Sequence, residues 1–296
     1  MPQTSELLTS AKGDALALNI FSPDEAQTKR GVVLIAAAMG VPQRYYAPFA
    51  TWLAQQGFVV ATFDYSGMGQ SLNAAKVALK QISSDMLDWA NEAGEVLALM
   101  KQRYPEIPLY WVGHSFGGQI LPMVDHSSLR KAITVGTGSG YWKENSPQLR
   151  RRVWLLWFFL VPVLTPIMGY FPGKRLKMVG DLPARVMLQW RRWCMNAGYN
   201  IGVEGEPLRA QYAAVRTPIT SLSFTDDDYM SAKNTEQIHG FYINARKNMQ
   251  RIAPQDAGVT HIGHFGFFKA HFKDTLWHKL LAELNETSIV NREDTL

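Results

Sequence analysis

Short apolar runs alternate with longer amphipathic stretches along most of the chain. The run from Gly31 to Ala38 is continuous and apolar, which is typical of a strand buried on both faces of a parallel sheet. Residues 14–21 alternate apolar and polar side chains, as a half-buried strand does. Strands are predicted at residues 14–21, 31–38, 58–63, 109–112, 132–135, 218–224 and 248–253.

The stretches between these strands carry apolar residues at helical spacing. One of them follows Ser83 or Ser84, either of which can cap its N-terminus, and it ends before Pro105. Because strands and helices alternate with short connections, the sequence predicts an α/β fold with a mostly parallel, doubly wound sheet. Helices are predicted at residues 44–56, 84–103, 115–124, 231–242 and 271–284, and a polar tail at 287–296.

The middle segment, residues 141–216, differs from its flanks in composition and interrupts the alternation. It holds twelve of the thirty Lys and Arg residues and only four acidic ones, a net charge of +8 in a chain whose total is +5. It also holds five of the nine tryptophans. We therefore expect a core built from residues 1–140 and 217–296, with a helical insertion at 141–216.

Length and composition restrict the class of protein further. The 296 residues suffice for one large domain, and the 47% apolar content is that of a globular chain. The single cysteine, Cys194, excludes an intramolecular disulfide. Met1–Ser10 has no pattern of a secretory signal, so we expect a cytoplasmic protein. Phosphate-cradling, dinucleotide-binding and metal-ligand motifs are absent from the sequence, so it predicts no cofactor, no metal and no nucleic-acid partner.

The motif with the clearest chemistry runs from Gly113 to Gly118 and fits G-x-S-x-G, with Ser115 at its centre. It lies between a predicted strand and a predicted helix, where a tight turn projects the serine hydroxyl at the carboxyl edge of the sheet. Only glycine leaves room for such a turn. The structural alternative is a glycine-rich turn in which Ser115 merely caps the helix.

A serine hydroxyl needs a base to take its proton, and a neutral imidazole suits that task. Among the seven histidines, His264 follows the last predicted strand and precedes the last predicted helix, so it lies on a loop at the sheet edge. Gly263 and Gly266 flank it and allow the loop to reach over the serine. His261 is the competing candidate.

An acid that orients the histidine is predicted in the run Asp226-Asp227-Asp228, which follows the strand at 218–224. Three adjacent like charges are costly, so at least one of them should face solvent. The oxyanion of an acyl-transfer reaction needs backbone N–H donors. We expect one from Phe116, after the serine, and another from the small-residue loop 36–40.

These residues resemble the α/β-hydrolase superfamily and, within it, the serine aminopeptidase and monoacylglycerol-lipase-like group. The resemblance covers most of the chain outside 141–216 and rests on Gly113–Gly118, on the turn Asp64–Ser71 and on the Asp and His positions above. It implies the fold of that superfamily, with an inserted helical cap over the active site. Ser66 stands where the family usually has arginine, and Ala36-Ala37 stand where it usually has His-Gly.

The resemblance also implies roles for individual residues. It favours Asp227 as the triad acid with Asp226 as the alternative, and it gives the chain order Ser115, Asp227, His264 that the fold requires. The register of the loop after the first buried strand implies Ala38 as the second oxyanion donor.

The segment Val153–Phe171 contains nineteen residues without a charge, flanked by basic residues. Three interpretations compete. A membrane span would need about this length, but it would place the two parts of the sheet on opposite sides of a bilayer. A membrane-surface anchor is the second. The third, which we favour, is a pair of short helices that turn at Pro162 and Pro166 and bury their apolar face over the pocket.

Together these features predict a serine hydrolase that cleaves carboxylic esters with an apolar acyl part through an acyl-enzyme on Ser115. The alternatives are a peptidase or amidase of the same fold, or a non-catalytic or membrane-associated ligand-binding protein. The expected partner is a small apolar ester; the membrane-surface alternative would add peripheral membrane contact through the cap. The residues predicted to line its pocket are Met39, His114, Trp154, Trp157 and Phe158.

Overall fold

One eight-stranded sheet organises the computed structural model, which describes residues 2–286. Its strands are β1 (Gln3–Thr9), β2 (Ala15–Phe21), β3 (Gly31–Ala36), β4 (Phe58–Phe63), β5 (Leu109–His114), β6 (Leu129–Val135), β9 (Ile219–Phe224) and β10 (Lys247–Ile252). Across the sheet they follow the order β1-β2-β4-β3-β5-β6-β9-β10. The pairs β1–β2 and β2–β4 are antiparallel and the others are parallel.

The central strands confirm the predicted alternation. Every residue of β3, β4 and β5 is buried, because helices flank the sheet and remove both faces of these strands from water. The sequence missed β1, whose residues QTSELLT are mostly polar and exposed. That strand lies at the edge of the sheet and is held by its pairing with β2, so apolar periodicity gives no signal for it.

Six α-helices belong to the described parts of the chain outside residues 141–216. The longest, α3, begins after Asp85, whose carboxylate accepts hydrogen bonds from the N–H groups of Leu87 and Asp88. The cap is therefore Asp85 and not Ser83 or Ser84, because only Asp85 has its side chain at the first turn. The helices are α1 (Ala47–Gln55), α2 (Gly69–Ala75), α3 (Met86–Arg103), α4 (Phe116–Gln119), α10 (Ala232–Gly240) and α11 (Leu276–Asn285), with a 3₁₀ turn at Leu121–Met123.

Residues 141–216, called the insertion below, are mainly helical. They leave the sheet after β6 and return to it at β9, and these two strands pair directly with each other. The core is therefore one sheet drawn from both flanks of the insertion. The insertion contains α5 (Pro147–Leu155), a π-helical segment (Leu156–Leu160), α6 (Val161–Met168), β7 (Tyr170–Phe171), β8 (Leu182–Pro183), α7 (Ala184–Met195), α8 (Tyr199–Glu204) and α9 (Glu206–Ala214).

The apolar segment of the insertion is one continuous helix from Pro147 to Met168, 22 residues long. The predicted turns at Pro162 and Pro166 are therefore wrong. A π turn precedes Pro162, and in it the N–H of Val161 donates to the carbonyl of Leu156. That local change of hydrogen bonding accommodates a proline within a helix without breaking it. The polar tail predicted at 287–296 lies outside the described residues.

Candidate active site

Ser115 lies on a sharp turn between β5 and α4, with φ of 50° and ψ of −109°. A side chain with φ in this region is strained, and such strain is common at catalytic positions. The neighbouring glycines are required by contact: a Cβ on Gly117 would lie 2.0 Å from the carbonyl oxygen of Ala36. A Cβ on Gly113 would lie 2.5 Å from the nitrogen of Gly118. The predicted elbow therefore forms where the sequence placed it.

The side chains of Ser115, His264 and Asp227 lie in one hydrogen-bonded line. Nε2 of His264 is 3.0 Å from Oγ of Ser115, and its Nδ1 is 2.9 Å from Oδ2 of Asp227. All three residues are buried. When Nδ1 carries the proton, it donates to the carboxylate, and Nε2 is free to accept the proton of the serine hydroxyl. The structure thus brings together three residues that lie far apart in sequence.

The three adjacent aspartates have three different environments. Oδ1 of Asp227 accepts the N–H groups of Tyr229 and Met230, each at 2.8 Å, which leaves Oδ2 for His264. Oδ2 of Asp226 instead accepts the N–H groups of residues 262 and 263. Asp228 is exposed, as expected for at least one of the three. The geometry favours Asp227 as the partner of the histidine, and Asp226 as an anchor of the loop before it.

His261, the competing histidine, pairs with Asp226 at 2.8 Å from its Nδ1, and its side chain is 71% exposed. It therefore lies outside the buried line that joins Ser115 to Asp227. The competing histidine and the competing aspartate bind each other, which removes both from the arrangement around the serine.

The loop after β3 differs from the prediction at its oxyanion donor. The N–H of Ala38 donates to the hydroxyl of Tyr46 at 2.8 Å, so this donor is already used. Within residues 2–286, the next N–H, that of Met39, has no acceptor. Phe116 is the first residue of α4, so its N–H has no acceptor within the helix. Two unused donors, on Met39 and Phe116, therefore flank the elbow.

His114 does not line a pocket, and its assignment to substrate binding is wrong. Its ring is fully buried and lies between Tyr46 and the carbonyl of His264. Its Nδ1 is 2.9 Å from the Tyr46 hydroxyl, and its Nε2 is 3.1 Å from that carbonyl. Burial lowers the pKa of His114 to about 3, so the ring is neutral. Neutral His114 then donates from Nε2 and accepts at Nδ1 from Tyr46, whose oxygen accepts the N–H of Ala38.

The aromatic residues predicted to bind substrate also lie elsewhere. Trp154 and Phe158 are each 45% exposed on the outer face of the insertion helix. Trp157 is buried within the insertion, its ring 5.3 Å from that of Trp190. Among residues 2–286, the hydrogen bonds and ring contacts of these three residues are all made within the insertion. Met39 is buried, in the loop that follows β3.

Two aromatic residues beside His264 were missed by the sequence analysis. The ring of Tyr229 stacks on the imidazole at 4.9 Å and 28°, and the ring of Phe265 lies edge-on at 4.8 Å. Their positions in the sequence, two residues after Asp227 and one after His264, could have predicted that they lie beside the triad. They give the triad an apolar border.

A buried carboxyl group lies behind the first oxyanion donor. The ring of Phe116 contacts Tyr65 and Trp89, and the indole N–H of Trp89 donates to the carbonyl of Ser66. The N–H of Ser66 donates to Oε2 of Glu92, whose Oε1 has no partner within residues 2–286. Burial raises the pKa of Glu92 to about 8. The serine that replaces the family's usual arginine thus leaves this carboxyl group without a cation.

The insertion lies against the loop that carries Met39. A Cβ on Gly40 would meet the backbone nitrogen of Gly180 at 2.8 Å. A 540 Å³ cavity opens beside this contact, and its lining includes Arg44, Asp64 and Lys174. Ser115 itself is only 7% exposed.

Sequence comparison settles the family. The family model described as serine aminopeptidase, S33, matches residues 27–254, most of the chain. The chain belongs to this family of α/β-hydrolases. The match spans the elbow at Ser115 and the strand before Asp227. No curated protein matches the chain.

Solved structures support the fold over nearly the whole length. A thermostable carboxyl esterase from Bacillus coagulans is 16% identical with a TM-score of 0.64, over 96% of this chain and 98% of its own. A soluble variant of monoglyceride lipase from Saccharomyces cerevisiae is 14% identical with a TM-score of 0.65, over 96% and 94%. At these identities the likeness shows the shared α/β-hydrolase fold, with its mostly parallel sheet and flanking helices.

Proposed function

We propose that this family member is a serine hydrolase that cleaves carboxylic esters with an apolar acyl part. The observation that carries the proposal is the buried line from Ser115 through His264 to Asp227. A hydroxyl, an imidazole and a carboxylate in this order form the arrangement that activates a serine for acyl transfer.

The reaction follows from the positions of the donors and acceptors. Oγ of Ser115 attacks the ester carbonyl carbon while Nε2 of His264 takes its proton, and Asp227 stabilises the imidazolium. The N–H groups of Phe116 and Met39 bind the oxyanion. Nε2–H then protonates the alkoxide, the alcohol leaves, and an acyl-enzyme remains. Water, deprotonated by His264, attacks that ester and releases the acid. Side chains and backbone suffice for each step.

The apolar part of the substrate is supported by the surroundings of the triad. The rings of Tyr229 and Phe265 border His264, and the side chain of Met39 lies in the oxyanion loop. Apolar walls with few polar groups suit acyl chains. The residues of the insertion that were predicted to add to this lining face elsewhere, so the proposal rests on residues of the core.

A peptidase or amidase is the second candidate, because the matching family model is described as a serine aminopeptidase. The same triad can cleave an amide when its imidazolium protonates the leaving amine. The structural neighbours reported above are an esterase and a lipase, and this favours the ester. A cytoplasmic location remains the prediction made from the sequence.

The deciding experiment is intact mass spectrometry after incubation with a fluorophosphonate. Wild type is expected to gain one adduct, and Ser115→Ala none. A panel of p-nitrophenyl esters of graded chain length and of aminoacyl p-nitroanilides then separates esterase from amidase. If folded wild type gains no adduct even with detergent present, the serine is not activated and a binding role replaces the enzymatic one.

A further inference from the structure

The helix Pro147–Met168 presents two adjacent ridges of apolar side chains to solvent. Residues along each ridge are four apart, so the ridges run along one face of the helix. The large apolar side chains of the two ridges are 45% to 76% exposed. We call these six residues the apolar ridge: Trp154, Leu155, Phe158, Phe159, Val163 and Ile167.

The opposite face of the same helix is part of the folded insertion. Leu156, Trp157 and Val161 are buried there, and Nε of Arg191 in α7 donates to the carbonyl of Trp157. The helix is long and apolar enough to span a membrane by length and composition, but only one of its sides is available. A spanning helix meets lipid or other spanning segments all round, whereas a helix packed on one side lies along a surface.

Basic residues lie at both ends of the apolar ridge. Residues 150–152 are three consecutive exposed arginines just before Trp154, and Lys174, Arg175 and Lys177 follow the helix, also exposed. Within residues 2–286, no acidic side chain pairs with residues 150–152. Aromatic and aliphatic residues between basic ends match the headgroup region of an anionic bilayer, where phosphates meet acyl chains.

A second copy of the chain fits this face poorly. Two insertion helices meeting through their apolar ridges would bring basic ends together whether they ran parallel or antiparallel, because both ends are basic. Like charges placed opposite each other across an interface are unfavourable. Charge therefore favours an anionic surface over self-association.

We propose that the apolar ridge and its basic ends form a docking surface for bilayers of anionic phospholipid. The helix lies in the plane of the headgroups, with Phe159 and Ile167 entering the acyl region and the arginines in contact with lipid phosphates. This inference is independent of the proposed reaction, since it rests on residues that do not touch the triad.

Vesicle flotation tests the proposal with the full chain. Wild type should float with vesicles of phosphatidylcholine and phosphatidylglycerol at low salt, and the bound fraction should fall as salt screens the arginines. The variant Phe159→Ser/Ile167→Ser should lose about tenfold or more in partitioning, because burial of apolar side chains supplies much of the binding of such helices. Ile243→Ser is the matched control, since Ile243 is 70% exposed outside the insertion; it should bind like wild type.

The charge contribution has its own pair of variants. Arg151→Gln/Arg152→Gln should weaken binding to anionic vesicles by about thirtyfold, because each basic residue near the surface contributes roughly 1 kcal/mol. Arg246→Gln/Arg251→Gln is the control: it removes two exposed charges outside the insertion and should change vesicle binding little. Equal binding of wild type to pure phosphatidylcholine would overturn the anionic assignment.

Two further outcomes would overturn the docking surface itself. Wild type that stays with the soluble fraction at low salt, or a ridge variant that floats as well as wild type, would remove it. Sedimentation velocity without lipid tests whether a second copy of the chain binds the apolar ridge instead. If wild type is a dimer and the Phe159→Ser/Ile167→Ser variant is a monomer, the apolar ridge is a dimer interface.

Discussion

At the carboxyl edge of the sheet, the side chains of Ser115, His264 and Asp227 are buried and joined by two hydrogen bonds. On the insertion helix, six large apolar side chains are 45% to 76% exposed, and ring contacts of Phe158 with Trp142 and of Trp154 with Phe159 cover them only in part. The polar groups of the first region are hydrogen-bonded to one another, whereas the apolar groups of the second each keep a large area in contact with water. The fold alone therefore completes the triad, whereas the apolar ridge would be buried only by a partner outside the described chain.

This difference also determines which substitutions each region tolerates. A substitution in the triad leaves a buried polar group without its partner. The free energy of unfolding then falls by more than the hydrogen bond itself contributes. A substitution on the apolar ridge removes mainly exposed apolar surface, together with a few ring contacts such as that of Phe158 with Trp142. Folding stability and turnover should therefore report on the first region, and binding to a surface on the second.

The largest expected effect is on the triad acid. Asp227→Asn should lower kcat for an ester by about 10⁴-fold, because an amide in this position stabilises the wrong tautomer of the histidine. Asp226→Asn is the matched control and should lose much less, since Asp226 binds the loop backbone and His261. Steady-state kinetics of both variants make the comparison. Retained turnover in Asp227→Asn would transfer the role to Asp226.

The next effect compares buried and exposed aromatic residues on one helix. Trp157→Ala should destabilise the protein by about 3–5 kcal/mol, because it leaves a large cavity beside Trp190. Phe158→Ala, one residue along, should cost much less, at most about 1 kcal/mol, since its side chain is 45% exposed and loses chiefly its edge contact with Trp142. Urea unfolding with both variants measures the difference. Equal losses would show that the outer face is packed in solution.

A pH-dependent effect is expected at Glu92, behind the oxyanion donor Phe116. The carboxyl group titrates near 4.5 when unfolded and at about 8 when folded, because burial raises its pKa. Its contribution to stability is therefore fully present below pH 4.5 and is lost as pH rises towards 8. Glu92→Gln removes this loss, so the stability of the variant relative to wild type should rise between pH 5 and pH 8. Chemical denaturation at several pH values measures it, and a constant difference would contradict the raised pKa.

The smallest of the four effects concerns the hydroxyl of Tyr46. Tyr46→Phe leaves the N–H of Ala38 and Nδ1 of His114 without partners, which should cost about 1–3 kcal/mol of stability. The freed loop should also hold the N–H of Met39 less firmly, so kcat falls while KM changes little. Unfolding curves and ester kinetics provide the two readouts. Unchanged kcat would separate this hydrogen-bonded chain from the oxyanion loop.

The sequence predicted the fold well where local signals carry the information. Strand β4 was placed at its observed bounds, 58–63, because it is short, apolar and ends in polar turns. The elbow was found because the G-x-S-x-G pattern is contained in five consecutive residues and lies between a strand and a helix. Strand β1 was missed because its stability comes from the pairing partner and not from its own pattern.

The predictions of individual site residues were wrong where the outcome depends on groups that only the tertiary structure brings together. Ala38 was assigned as an oxyanion donor, but Tyr46, eight residues away, occupies its N–H. His114 was assigned to the pocket by its nearness to Ser115 in sequence, although its ring is buried between Tyr46 and the carbonyl of His264. The tryptophans of the insertion were assigned by composition, which predicts burial without specifying which face of a helix is buried.

The pairing of β6 with β9 has a consequence for how such chains diversify. The sheet closes across the insertion, and lengthening a loop that is already long costs only about 0.6 kcal/mol per doubling. Evolution can therefore exchange or resize residues 141–216 while the nucleophile and its base stay in place. One condition on such an exchange lies at Gln119, whose side-chain oxygen accepts the hydroxyl of Tyr199 and whose backbone carbonyl accepts that of Tyr212. A transplanted insertion would have to carry partners for that glutamine with it.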